Sequence, residues 1–126
     1  MPEPLGTVLI VDDHEDTRVA LAELIAYGGF RVEMAGDGLE GLAHLRCIGV
    51  RPLVVILDLA MPEMDGHAFL QAKAADPELR HIPVIVHSAV HPWGLPSNVR
   101  FLPKGTTDPG ELLDVIGREC RKAEAN

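Results

Sequence analysis

Cysteine is scarce in this chain. Cys47 and Cys120 are the only two in 126 residues; both fall in helical patterns without CxxC or Cys/His spacing, which argues against a disulfide or zinc framework and fits a reduced, cytoplasmic setting. Basic residues are also in short supply: 11 Lys and Arg against 19 Asp and Glu leave a formal net charge of −8. That charge repels phosphate backbones and anionic lipid, so direct nucleic-acid or membrane-surface binding is not expected, and protein partners are. No window is apolar for long enough to span a bilayer, and Met1-Pro2-Glu3-Pro4 lacks the basic region and apolar stretch of an export signal. Repeats, linkers and low-complexity tracts are absent. What remains is globular composition, 47% hydrophobic and 24% charged, with room for one domain over residues 1–126 and a core of about 7–121.

Short continuous apolar runs alternate with helical patterns, the signature of a parallel sheet covered on both faces. Strands are predicted at about Thr7–Val11, Arg31–Met34, Leu53–Leu57, Val84–His87 and Val99–Leu102. Between them, a helix over about Glu15–Tyr27 turns Leu21, Leu24 and Ile25 to one face and stops at Gly28-Gly29. A second begins after Asp37, with Glu40 completing a capping box and Leu39, Leu42 and Ala43 facing inward. A third covers about Gly66–Ala75. The last starts after Asp108, with Pro109 in its first position, and aligns Leu112, Val115, Ile116 and Cys120.

Three acids end two of these strands: Asp12 and Asp13 after Val11, and Asp58 after Leu57. If the strands lie side by side and parallel, the carboxylates meet at one edge and repel one another unless a hard divalent cation sits among them. Alone, Asp12-Asp13 would read as a helix cap, Lys104 as a solvated lysine, and Ser88 as a strand-end hydroxyl. The combination overrides those readings. Val11-Asp12-Asp13, Asp58-Leu59-Ala60-Met61-Pro62-Glu63-Met64-Asp65-Gly66, Ser88-Ala89 and Phe101-Leu102-Pro103-Lys104 together closely resemble the receiver domain of two-component response regulators, from Val8 to about Arg121.

The resemblance implies a flavodoxin-like, doubly wound (βα)5 sheet of strand order 2-1-3-4-5, with ligands beyond the carboxyl ends of the strands. It implies that Asp58 accepts a phosphoryl group from a histidine kinase or histidine phosphotransfer protein. Asp13, Asp58 and the Ala60 carbonyl would ligate Mg2+, with Asp12 acting through water or by orienting the ion. Ser88 and Lys104 would contact the phosphoryl oxygens. Phe101 aligns with an aromatic switch position, although a Phe in a central strand is also ordinary core. His87 and His91 are expected to be structural or solvent-facing. Ala60 and Val90 fall where the family tunes hydrolysis; both are apolar, which implies a long-lived aspartyl phosphate. Output would come from contact with another protein, as a stand-alone signalling module that catalyses only its own phosphoryl transfer and dephosphorylation; oligomeric state is not legible.

Two departures stand out. The family usually has Lys-Pro after the fifth strand, often with a cis bond. Here it is Lys104-Gly105, and a cis bond before a non-proline costs about 2.5–4 kcal/mol, so a trans bond or locally tolerated strain is expected. Between Ser88 and Lys104 the chain is also several residues short of a full fourth helix. Returning along a strand takes roughly 17 Å; about eight helical residues rise only some 12 Å, whereas the same number extended reach roughly 26 Å. Pro92, Gly94 and Pro96 oppose helix as well, so a loop or single turn is expected, with Trp93 or Leu95 covering the exposed sheet face. Three other readings fit the residues less well. A pseudo-receiver that binds partners without phosphorylation runs against the intact site set. A phosphohydrolase needs a second Asp at position 60, which is Ala, and a flavin carrier needs a Ser/Thr-rich phosphate loop after the first strand.

Overall fold

The computed structural model describes residues 5–47, 51–61, 64–89, 92, 94–96 and 98–125. The elements run β1 (Thr7–Val11), α1 (Glu15–Tyr27), β2 (Arg31–Ala35), α2 (Gly38–Arg46), β3 (Val54–Leu57), α3 (Gly66–Ala75), β4 (Val84–Ser88), β5 (Val99–Pro103) and α4 (Pro109–Ala125). The five strands form one sheet in the order β2-β1-β3-β4-β5, every pairing parallel. This is the predicted flavodoxin-like topology, with strand ends moved by one residue at β2, β3, β4 and β5.

Strand alternation divides the core in two. Leu9, Val11, Val55, Leu57, Val84 and Val86 point to one face, where Leu42 and Leu45 of α2 and Phe69 and Leu70 of α3 cover them. Val8, Ile10, Val54, Ile56 and Ile85 point to the other, under Leu21 and Ile25 of α1 and Leu112, Val115, Ile116 and Cys120 of α4. Since β1 and β3 are wholly buried in the centre of the sheet, their last residues register Val11 beside Leu57. The next residue in each strand is an acid. The hydrophobic sandwich thus forces Asp12 and Asp58 together at the carboxyl edge.

Capping follows the sequence. Asp37 Oδ1 accepts from the Glu40 N–H, and Glu40 Oε2 accepts in turn from the Gly36 N–H. Asp108 Oδ2 accepts from the Gly110 and Glu111 N–H groups. The expected inner face of α2 needs correcting. Leu39 is 55% exposed and Ala43 is exposed; the buried stripe is Gly38, Gly41, Leu42 and Leu45, the i, i+3, i+4, i+7 positions counted from the first helical residue.

Between β4 and β5, no described residue is helical. Leu95 packs, partly buried, against the α2/α3-side cluster beside Val99 and Phe101, so it takes part of the cover a fourth helix would give. Pro62, Glu63, Val90, His91 and Trp93 lie outside the described residues. Among the described residues every peptide bond is trans, Lys104–Gly105 included, and Gly105 has φ +82°. The chain therefore leaves Lys104 through a left-handed residue, a conformation that costs glycine little and an L side chain roughly 1–2 kcal/mol.

Candidate functional site

Asp12 and Asp58 are 2% and 4% exposed, with backbone N–H groups held by Ala35 and Val11 carbonyls across the sheet. Asp13, one residue further out, is half-buried. Lys104 arrives from the end of β5, where its N–H donates to the Ser88 carbonyl at 3.0 Å. Its ammonium reaches back to Asp12 Oδ2 at 2.9 Å and Asp58 Oδ2 at 3.1 Å. Ala60 N–H donates to Asp58 Oδ1 at 3.3 Å. Gly66 packs so closely on this loop that a Cβ there would lie 2.6 Å from Leu59 Cα and 2.7 Å from the Asp58 carbonyl. Its N–H bonds the Leu59 carbonyl at 3.0 Å. Only glycine allows α3 to start against the backbone that carries Asp58.

A cavity of about 240 Å3 opens over these groups, lined by His14, Thr17, Asp58, Ala60, Ser88, Ala89 and Lys104. Three carboxylates share the one ammonium of Lys104, with the Arg18 guanidinium nearby on the Asp12 backbone carbonyl at 2.8 Å, so negative charge is in excess. Burial disfavours charge on Lys104, but the hydrogen bond and charge of Asp12, together with Asp58, outweigh it and raise the lysine above its ordinary value. The ammonium is held firmly protonated. Asp13 Oδ1 is buried without a hydrogen-bond partner; the His14 ring nitrogen stands 3.8 Å away, beyond hydrogen-bond reach. One ligand atom from each of Asp12, Asp13, His14 and Asp58 lies within 4.8 Å of all the others. An orphaned carboxylate oxygen in a set with excess negative charge fits a divalent cation.

The profile of the response regulator receiver domain matches residues 8–95. The chain belongs to that family. It is 35% identical over 102 residues, 80% of its length, to protein-glutamate methylesterase/protein-glutamine glutaminase 1 of Anaeromyxobacter dehalogenans. It is 36% identical over 128 aligned residues, 94% of its length, to a similarly named protein of Desulfitobacterium hafniense. This receiver spans only 28% and 31% of those two proteins. Among solved structures it resembles the receiver domain of a signal transduction histidine kinase from Syntrophus aciditrophicus, at 26% identity and TM-score 0.85, covering 96% of this chain and 94% of that one. A receiver is a phosphoacceptor signalling domain of two-component systems, working with kinase or phosphotransfer partners.

Of the residues singled out in the sequence, Asp12, Asp13, Asp58, Ala60, Ser88 and Lys104 converge at this edge of the receiver. Phe101 does not line the cavity. It pairs with Val86 in the sheet and packs against the α2/α3-side cluster. His87 is buried behind Ser88 on the opposite sheet face, with its ring Nδ1 unpaired; burial, and then the Lys104 charge, lower it below its ordinary value. Sequence reading missed His14 and Thr17. Adjacency to Asp12-Asp13 was the available signal for His14, whereas Thr17 reaches the cavity only through the turn of α1.

Proposed function

We propose that Asp58 is the phosphoacceptor and that Asp13, Asp58 and the Ala60 carbonyl hold a Mg2+ ion, with Asp12 orienting it. The observation that carries this is the Asp58 carboxylate fixed at the base of the cavity by the Ala60 N–H and the Lys104 ammonium. An Asp58 oxygen attacks phosphorus, the phosphorus–nitrogen bond of a phosphohistidine donor breaks, and an aspartyl phosphate remains. A bound Mg2+ would neutralise charge on the transferring oxygens. Lys104 is already protonated and aimed at the same place, so it stabilises that charge without reorganising. Ser88 supplies a hydroxyl at the cavity wall, and small Ala89 leaves the phosphoryl group room.

Donor and reader are proteins in this reading: a histidine kinase or phosphotransfer protein, and a downstream partner, in the cytoplasm. Among the described residues no helix is long and apolar enough to cross a membrane. The domain catalyses only its own phosphorylation and dephosphorylation. Because the Ala60 side chain offers no polar atom at the cavity wall to orient water, decay is slow, and a polar residue there speeds it. Phe101, partly buried beside β4, follows the state of Ser88. The test is beryllofluoride with Mg2+. The wild type changes its amide spectrum around β4 and β5, while Asp58→Asn does not. A wild type that ignores beryllofluoride would instead support a phosphorylation-independent pseudo-receiver.

A further inference from the structure

His14 occupies the N-cap of α1, yet its side chain makes no capping bond, unlike the Asp caps of α2 and α3. Its backbone N–H donates to Asp12 Oδ1 at 2.9 Å, which pins the residue against the acid pair. The ring itself is 74% exposed and stands 3.8 Å from the orphaned Asp13 Oδ1. A ring nitrogen closes a set with Asp12, Asp13 and Asp58 in which no ligand atom is more than 4.8 Å from another. Ligand atoms around one ion at about 2.1 Å lie roughly 3–4 Å apart, so small side-chain rotations bring these together. As an ion pair with Asp13, an imidazole this exposed would contribute almost nothing.

We infer that His14 supplies an imidazole ligand to the divalent-cation site, biasing it from Mg2+ toward a borderline transition metal such as Co2+ or Zn2+. The inference rests on the reading of this edge as a cation site and goes beyond it. Mg2+ favours oxygen ligands and keeps its waters, so an imidazole in place of one water gives it little. Co2+ and Zn2+ bind imidazole well, and in an otherwise all-oxygen set the added nitrogen raises their relative affinity.

The test titrates the full chain with Mg2+ and, separately, Co2+, in the wild type, His14→Ala, Asp13→Ala and His67→Ala, the last on the exposed face of α3. In His14→Ala the preference for Co2+ over Mg2+ falls by roughly 10–100-fold, at least the scale of outer-shell contributions to metal affinity. In His67→Ala it does not fall. Pulsed electron paramagnetic resonance of the Mn2+-loaded wild type shows coupling to a ring nitrogen that is lost in His14→Ala. An unchanged preference in His14→Ala, an equal fall in His67→Ala, undiminished Co2+ binding in Asp13→Ala, or no nitrogen coupling would overturn the inference. Failure of Mg2+ to bind the wild type while the Co2+ results hold would count against the Mg2+ reading alone.

Discussion

Replacing Lys104 with methionine keeps the length of the stem and deletes the charge that Asp12 and Asp58 share at 2.9 and 3.1 Å. Both acids are almost wholly buried, and breaking a buried pair from one side costs about 3–5 kcal/mol. Lys104 retains some exposure, with 17% of its side chain accessible, so about 3 kcal/mol is the better figure. At roughly 2.1 cal/mol/K per residue, the 126 residues have an unfolding entropy near 0.26 kcal/mol/K, and the loss corresponds to about 11 °C in Tm. The cost applies without divalent ions. Because the ammonium competes for the oxygens a cation needs, Lys104→Met binds Mg2+ more tightly than the wild type, and millimolar Mg2+ closes much of the gap. Calorimetry in EDTA and then in Mg2+ reads both. A variant that melts within about 2 °C of the wild type in EDTA, or a gap that Mg2+ leaves unchanged, would refute the claim that Lys104 stands in for part of the cation's charge.

Asp13→Asn removes the charge from a carboxylate whose own Oδ1 is unpaired; it raises metal-free stability by about 1 kcal/mol in urea unfolding and weakens the Mg2+-dependent rise. Gly66→Ala drives a methyl into the Leu59 Cα and Asp58 carbonyl, costs roughly 2–3 kcal/mol by thermal melt, and lowers phosphorylation of Asp58 by displacing it. Lys73 is 4% exposed, donates to the Arg80 carbonyl at 3.3 Å, and is lowered by burial from its ordinary 10.5 to about 8. The unfolded chain therefore binds more protons between pH 8 and 10.5, and the wild type gains up to about 3 kcal/mol as pH rises through that window. Lys73→Met lacks this gain and is the more stable protein at pH 7; parallel stability–pH curves for the two would contradict the assignment.

The strand order followed from the receiver resemblance, because alternating βα units admit more than one parallel order, while Val8–Val11 and Val54–Leu57, continuous apolar runs each ended by an acid, were directly legible as strands. The helix facing of α2 was not. Leu39 and Ala43 look like core by residue type, but the phase of a nine-residue helix is set by Gly38 and Gly41 meeting Met64, Val11 and Phe69, a tertiary contact that no local pattern encodes. Convergence of Lys104 with the acids was legible from its place after β5. The route by which it converges was not, since family proline and local glycine turn the chain differently, and here Gly105 does so through a positive φ. The lack of helix among the described residues between β4 and β5 followed from the short chain length together with Pro92, Gly94 and Pro96, whereas His14 gave no signal beyond its adjacency to Asp12-Asp13.

Phosphorylation of Asp58 at this edge of the sheet is the proposal from which the other predictions about this site follow. The most direct measurement is incubation with acetyl phosphate and Mg2+, followed by borohydride trapping and mass spectrometry of the peptide spanning β3. One trapped site is expected, at Asp58, and it disappears with EDTA and in Asp58→Asn. Label on Asp12 or Asp13, or label at Asp58 that is indifferent to chelator, would contradict the proposal.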